Sequence, residues 1–393
     1  MKVFLEKIHI RNFLSLRDVT LPLKRLTVLV GPNASGKSNV LRSLWLLKRM
    51  MHTESPPSAK FIQEVMWAGQ ANCIGFHLQA NADGSLADYR LELDAKLEDR
   101  NQIAVEELIV NKVKVISIRN GQGEVKDEDG EKPTIYRPSK PKLSLKSASD
   151  YGNKPVTGVL AEFIKDGKLY DFDPDEMRGG NAFYQDLEMA SGRHDRLSNL
   201  PGLDGDGSTL RDILSYWFEN DKECFDSVNK AFEDCTKCKI EKRADNRDEF
   251  CLWEGSEKPV SLRKASDGTM RLLAYQILLS YPEVPPLIAI EEPERNLHPS
   301  ALKEMANLLE QLAERTQVII TTHSSRLLDA FNLRGLSDNL GILFLQNIPG
   351  KGTKVIDIEE TRRNWEDMNG WITDYGIGSA IFDSGLLQEL MEG

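Results

Sequence analysis

Gly31-Pro32-Asn33-Ala34-Ser35-Gly36-Lys37-Ser38 follows the spacing GxxxxGK[ST]. Those residue types in that order wrap a polyphosphate. The glycines let backbone N–H groups turn inward, the lysine reaches the β and γ phosphates, and the serine hydroxyl ligates Mg2+. With Asn39 next in line, Gly31 to Asn39 form the expected cradle for ATP, and Ser38 is its expected metal ligand.

A second group of chemistry-bearing residues lies far along the chain. Ile288-Ala289-Ile290-Glu291-Glu292 sets two carboxylates at the end of an apolar run, where ligands of open α/β sheets bind. Glu291 is placed to approach Mg2+ through water, and Glu292 to polarise an attacking water. His323 directly follows another apolar run, Val318 to Thr322, where an imidazole can donate to a γ-phosphate or hold the water. Lys37, Glu292 and His323 are the expected catalytic residues. Ala265-Ser266-Asp267-Gly268-Thr269 is a serine–glycine turn that opens a helix from Leu272 to Leu279. Ser266 and the amides near Gly268 read in two ways, as an anion site for a second protomer's γ-phosphate or as an ordinary N-cap.

Rigid elements must hold these residues. Leu26-Thr27-Val28-Leu29-Val30 is an apolar run that ends at the glycine turn, as a buried parallel strand does. Beyond the turn, Val40, Leu41, Leu44, Leu47 and Met51 recur at three- and four-residue intervals and predict a helix. Residues 286–290 and 318–322 read as two more strands, and the helix predicted between them, 300–316, makes a βαβ unit. A parallel sheet under helices follows. Lys37 and Glu292 are separated by more than one typical domain of about 100–150 residues, so the nucleotide fold is read as split by an insertion.

The middle has another texture. Residues 73–118 alternate apolar and polar side chains around turns such as Asn81-Ala82-Asp83-Gly84, which predicts antiparallel strands. Residues 119–155 hold the acidic run Glu124 to Glu131 and the basic stretch Arg137 to Lys142, and read as a solvated loop. Residues 208–239 return to helical spacing. The expected fold class is α/β, a split P-loop NTPase head with a large insertion lobe, β-rich first and helical later. The expected division is 1–72 and 258–345 for the two halves of the head, 73–257 for the insertion and 346–393 for a tail. No sustained heptads predict a coiled-coil arm.

Composition narrows the function classes. The 393 residues are 40% hydrophobic and 28% charged, the balance of a globular protein. With 50 Lys+Arg against 61 Asp+Glu the net charge is −11, so a histone-like coat is excluded and nucleic acid would need a local basic surface. The candidate surface is Arg137 to Lys146. No apolar stretch reaches the roughly 18 residues of a membrane helix, and a cytoplasmic location with no membrane partner is expected. Five cysteines, an odd number, argue against a disulfide framework; Cys235 and Cys238 have metal-ligand spacing but no second pair.

Taken together, Ile8 to Phe13, the P-loop, Ser266 to Thr269, Ile290-Glu291-Glu292-Pro293-Glu294 with Leu297-His298-Pro299, and Thr321-Thr322-His323-Ser324 resemble the RecF/SMC/OLD-like branch of ABC-type ATPases. That resemblance implies a homodimer closed head-to-tail around two ATP–Mg2+, with Ser266 and Gly268 as the signature motif of the partner's site. It also implies Glu291 at the Walker B acidic position, Glu292 as catalytic glutamate, Glu294 to Leu297 as D-loop and His323 as switch histidine. Two positions depart from the pattern: Glu291 replaces the more usual aspartate, and Arg295-Asn296 stands where relatives often carry Asn-Gly. Gln63, Gln70 and Gln79 all fall near the place of the Q-loop. The stretch after His323 is shorter than a further catalytic domain of about 100 residues, so no Toprim nuclease domain is expected in it. The expected function is an ATPase coupled to DNA in repair, maintenance or anti-phage defence. The alternative is a slow ATP-gated scaffold or sensor controlling a separate nuclease or toxin effector.

Overall fold

The computed structural model describes residues 3–53, 55–67, 73–96, 102–137, 142–148, 150, 152–179, 201–243, 250–253, 255, 258–331 and 339–383. The chain opens with the hairpin β1 (Val3–Phe13) and β2 (Leu16–Pro22), then β3 (Leu26–Val30), α1 (Lys37–His52) and α2 (Ala59–Val65). Six antiparallel strands follow: β4 (Cys73–Ala82), β5 (Ser85–Asp94), β6 (Ile103–Val110), β7 (Val113–Arg119), β8 (Gln122–Val125) and β9 (Thr134–Tyr136). Next come α3 (Leu145–Ala148), α4 (Pro155–Asp166), β10 (Lys168–Tyr170), α5 (Pro174–Met177), α6 (Leu210–Asn220) and α7 (Lys222–Thr236). A small sheet, β11 (Lys239–Lys242), β12 (Phe250–Trp253) and β13 (Val260–Ser261), leads to α8 (Asp267–Ser280). The last third holds β14 (Leu287–Glu291), α9 (Leu302–Arg315), β15 (Gln317–Thr322), α10 (Ser325–Ala330), β16 (Leu340–Ile348) and β17 (Gly352–Asp357). It closes with α11 (Ile358–Asn364), α12 (Glu366–Tyr375) and α13 (Ile377–Phe382).

Two sheets position the site. The first has the order β10-β14-β15-β3-β16-β17, parallel except for β17. Its central strands are buried along their whole length, every residue of β3 and of β15 being covered, which is why they are apolar or threonine except at Gln317, whose amide exchanges hydrogen bonds with the Leu5 backbone at 2.9 and 2.8 Å. Side chains alternate across it. Val28, Ile288, Ile290, Val318 and Ile320 enter one core with α6 to α9, while Leu29, Leu287, Ala289 and Ile319 enter the other with α1 and α4. That second core is roofed by the eight-stranded antiparallel sheet β2-β1-β4-β5-β6-β7-β8-β9. β4 pairs with β1, and β10 pairs with β14 in parallel, so strands from the middle of the chain complete both sheets. Among the described residues no helix is long and apolar enough to cross a membrane.

The stretch expected as a solvated loop is a correction. Residues 122–125 and 134–136 are strands, and Asp127, 2% exposed, takes the Lys154 ammonium at 3.0 Å and the Asn153 N–H at 3.0 Å. Glu128 accepts N–H groups of Val156 and Thr157 at the start of α4. Charges are buried here because each has a partner, which composition alone does not reveal. Of the basic stretch, Pro138 to Pro141 lie outside the described residues, Arg137 is exposed, and the Lys146 ammonium donates to Thr53 O at 3.1 Å and His52 O at 3.4 Å.

Candidate functional site

The turn between β3 and α1 is fixed by its glycines. Gly31 has φ 153° and Gly36 φ 107°, and a Cβ on either would strike neighbours, Leu345 O at 2.1 Å and Thr353 Oγ1 at 2.4 Å. α1 then begins with no side-chain cap and no acid in its first turn, so its N–H groups and dipole face the loop unopposed. Lys37, 6% exposed, donates from Nζ to Gly31 O at 2.8 Å and Pro32 O at 2.9 Å. Burial pushes its amine below the usual lysine range, and Glu292, Glu294 and Glu291 pull it back up. Ser35, Asn39, Ser15 and Thr353 brace the loop. Thr353 Oγ1 donates to Ser35 O at 3.0 Å, Ser15 Oγ lies 2.8 Å from Thr353 Oγ1, and Asn39 Nδ2 donates to Ser15 Oγ at 2.8 Å.

Parallel pairing of β14 and β15 with β3 carries the distant carboxylates to this turn. Ser38 Oγ donates to Glu291 Oε1 across 253 positions of sequence. A hydroxyl and a carboxylate in contact are hard oxygen donors, the kind a small divalent cation takes, so the residues fit the metal the motif implies. Glu292 is the first residue past β14 and has φ 42°, a left-handed conformation unusual for a glutamate. Its N–H donates to Thr321 O at 3.1 Å and Thr321 Oγ1 at 3.2 Å. Its Oε1 lies 3.2 Å from His323 Nδ1, and its Oε2 accepts from Arg295 at 3.2 Å. Lys37, Ser38, Glu291, Glu292 and His323 therefore form one cluster.

Ser266 and Gly268 belong to a second cluster. Ser266 caps α8, its Oγ accepting the Thr269 N–H at 3.2 Å, while a Cβ on Gly268 would lie 2.8 Å from Asn296 O. Asn296 donates to Asp267 at 2.9 Å, and Arg178 donates to Ala265 O at 2.9 Å and pairs with Asp267. Among the described residues no hydrogen bond joins Ser266 or Gly268 to Lys37 or Ser38. Of the Q-loop candidates, Gln63 is exposed on α2, Gln79 donates to Asp88 at 3.1 Å on the large sheet, and Gln70 lies outside the described residues.

Sequence reasoning gave Glu294 only as part of the D-loop and missed Asp171, Ser15 and Thr353. Glu294, 8% exposed, accepts from Thr322 Oγ1 at 2.5 Å while its Oε2 has no partner among the described residues. Burial pushes its carboxyl up, and the Thr322 hydrogen bond pulls it back down. Asp171 holds Arg295 at 3.2 Å from the segment after β10. Ser15 and Thr353 carry no local signal beyond being polar residues at strand ends.

Comparison with known proteins bears on the fold and on the ATPase activity. The family model "AAA ATPase domain" matches residues 1–139, and the model "AAA domain, putative AbiEii toxin, Type IV TA system" matches residues 134–329. An OLD nuclease of Thermus scotoductus (strain ATCC 700910 / SA-01) is 44% identical over 43 residues, which are 11% of this chain and 8% of that protein. Among solved structures, an SMC head bound to the C-terminal winged-helix domain of ScpA aligns with TM-score 0.51 at 14% identity, over 90% of this chain and 97% of that one. An SMC head with an extended coiled coil, bound to the C-terminal domain of ScpA derived from Pyrococcus furiosus, aligns with TM-score 0.50 at 14% identity, over 93% and 100%. At these identities the solved structures speak for the fold, and the two family models, which together take in residues 1–329, speak for the chemistry. The chain is an ATPase whose residues 1–329 match AAA-type ATPase models, a split P-loop head with the fold of an SMC head that binds and hydrolyses ATP.

Proposed function

We propose that two copies of the chain close head-to-tail on ATP and reopen on hydrolysis, each supplying the Ser266–Gly268 turn to the other's P-loop. Supporting this most directly is the meeting of Ser38, Glu291, Glu292 and His323 beside the buried Lys37 amine, from segments some 250 residues apart. Gly31 to Ser38 hold the phosphates, with Asn39 bracing the loop through Ser15. Ser38 and Glu291 hold Mg2+, which when bound offsets negative charge on the phosphate oxygens. Glu292 accepts the proton of the attacking water, and His323 holds the Glu292 carboxylate in place. The working division keeps 1–72 with 258–345 as the head, 73–257 as the inserted part and 346–393 as the tail.

For the output of that cycle, control of a separate effector in the cytoplasm is favoured over a direct grip on DNA. The net charge is −11, and Lys146 of the candidate basic surface is already bound to the C-terminal carbonyls of α1. The description of the model over residues 134–329, which names a toxin system, and the OLD nuclease match support a toxin or nuclease partner.

The test is complementation between damaged copies. Ser266→Arg spoils only the turn presented to the partner, and Lys37→Ala only the copy's own P-loop. Mixed in equal amounts with subunit exchange confirmed, they should recover about a quarter of the wild-type ATPase rate, because half the dimers carry one intact composite site. ATPase activity no higher than that of the separate variants removes the head-to-tail pair.

A further inference from the structure

A pocket of about 510 Å3 opens beside the Ser266 turn, between the segment after β10 and the Arg295–Asn296 turn. Asp171, Asp173, Asp175, Glu176, Asp206 and Asp267 line it. Asp171, Asp175 and Asp267 have arginine partners, Arg295 for the first and Arg178 for the other two. Asp173 and Asp206 accept backbone N–H groups of Asp175 and Ser208 at 2.8 and 2.9 Å. Among the described residues no cation lies within ion-pair distance of Asp173, Glu176 or Asp206.

Arg271 also lines this pocket and is 2% exposed, yet its Nε and Nη1 have no hydrogen-bond partner among the described residues. A buried donor without an acceptor is unfavourable, as is a rim of unpaired carboxylates. An occupant that relieves both offers positive charge to the rim and oxygen acceptors to Arg271. A simple anion meets the second need but is repelled by the first. A peptide turn with a basic side chain beside bare carbonyls meets both.

The P-loop side of the same chain presents such a turn. Between β16 and β17, Pro349, Gly350 and Lys351 are exposed, and the exposed Arg17 stands next to them, since a Cβ on Gly352 would lie 2.8 Å from Arg17 Cβ. Thr353, two residues on, fastens the turn to the P-loop through Ser35 O at 3.0 Å. In a head-to-tail pair the P-loop of one copy faces the Ser266 turn of the other, which brings this basic tip to the acidic pocket. We infer that the pocket receives the β16–β17 turn of a second copy, with Lys351 and Arg17 at the carboxylate rim and the turn carbonyls accepting from Arg271. This rests on the head-to-tail reading proposed above.

The test uses the full chain carrying Glu292→Gln, with ATP, and reads the dimer fraction by sedimentation. On that background, Lys351→Glu with Arg17→Glu reverses the tip, and Asp173→Lys with Glu176→Lys reverses the pocket. Each pair alone should weaken dimerisation about tenfold or more, because like charges then face each other at both interfaces. Mixing the two should restore the dimer, since every tip in the mixed pair meets a pocket of opposite sign. An unchanged dimer fraction in the tip variant, with nucleotide binding retained, overturns the inference, and that variant decides alone if the pocket variant misfolds. Lack of recovery on mixing two folded, ATP-binding variants overturns it equally. A parent Glu292→Gln chain that stays monomeric with ATP overturns the head-to-tail reading itself, and this inference with it.

Discussion

Two helices begin at functional turns in this chain, and they begin in opposite ways. α1 starts from Gly36 with no side-chain cap and no acid in its first turn, whereas α8 starts from Ser266, whose hydroxyl caps it, with Asp267 in its first turn. The N-terminus of α1 is thus left open for an anion, and the loop before it is braced by Ser15, Thr353 and the Lys37 amine. The N-terminus of α8 has a side-chain cap and a negative charge of its own, while Arg271 one turn on keeps two nitrogens without acceptors among the described residues. One turn is left open, its own helix amides unspent. The other is capped within the chain but carries, at Arg271, polar groups with no partner among the described residues.

The contrast breaks most visibly on the α1 side. Lys37→Ala should abolish measurable ATP binding, while Glu292→Gln should keep affinity within about threefold and lose roughly 100- to 10,000-fold in kcat. Nucleotide titration alongside single-turnover kinetics separates the two, and equal loss of affinity in both would contradict the division of roles between lysine and glutamate. Gly36→Ala comes next. It forces a side chain into φ 107° and against Thr353 Oγ1, and should weaken ATP binding about 10- to 100-fold by calorimetry, with the fold retained.

On the α8 side the effects read without nucleotide are smaller, because there they touch stability alone. Ser266→Ala removes the cap and should cost about 1 kcal/mol, lowering Tm by about 1 °C without nucleotide; an unchanged melt would mean the cap contributes nothing. Glu294→Gln should have the slightest effect, and of opposite sign. Burial raises the Glu294 carboxyl above the usual range, so its contribution to stability is full below the ordinary carboxylate value and lost as pH rises through the folded value. The glutamine, which never ionises, should therefore raise Tm by about 0.5–1 °C at pH 8 and by nothing at pH 4. A constant difference across pH would assign the effect to packing instead.

How far the sequence could be read follows from the range of each interaction. β3, the glycine turn, α1, β14, α9 and β15 declare themselves through apolar runs and helical spacing within a few residues. The strand β10 does not, because Lys168-Leu169-Tyr170 is a strand only by virtue of lying beside Ile288 to Ile290. Asp127 with Lys154, and Ser15 with Thr353, escape for the same reason, since a polar residue's partner across a fold leaves no local periodicity. Arg271 sits in a run of buried residues from Met270 to Leu278 and looks, from sequence, like the polar edge of an ordinary helix. Only its missing acceptors distinguish it.

The order of strands around β3 also bears on how the protein is made. Leu26 pairs with Val318 and Leu340, so the strand that launches the P-loop has neither neighbour until nearly the whole chain has left the ribosome. At about 5–20 residues per second that delay is roughly 15–60 s. Meanwhile β1, β2 and β4 to β9, all within residues 3–136, can assemble on their own pairings. The nascent chain therefore carries a finished antiparallel sheet and, beside it, a five-residue apolar strand with both edges bare, a template for mispairing with other chains. Pulse proteolysis of ribosome-stalled chains of about 150 residues should find β4 to β7 protected and the segment from β3 into α1 cleaved.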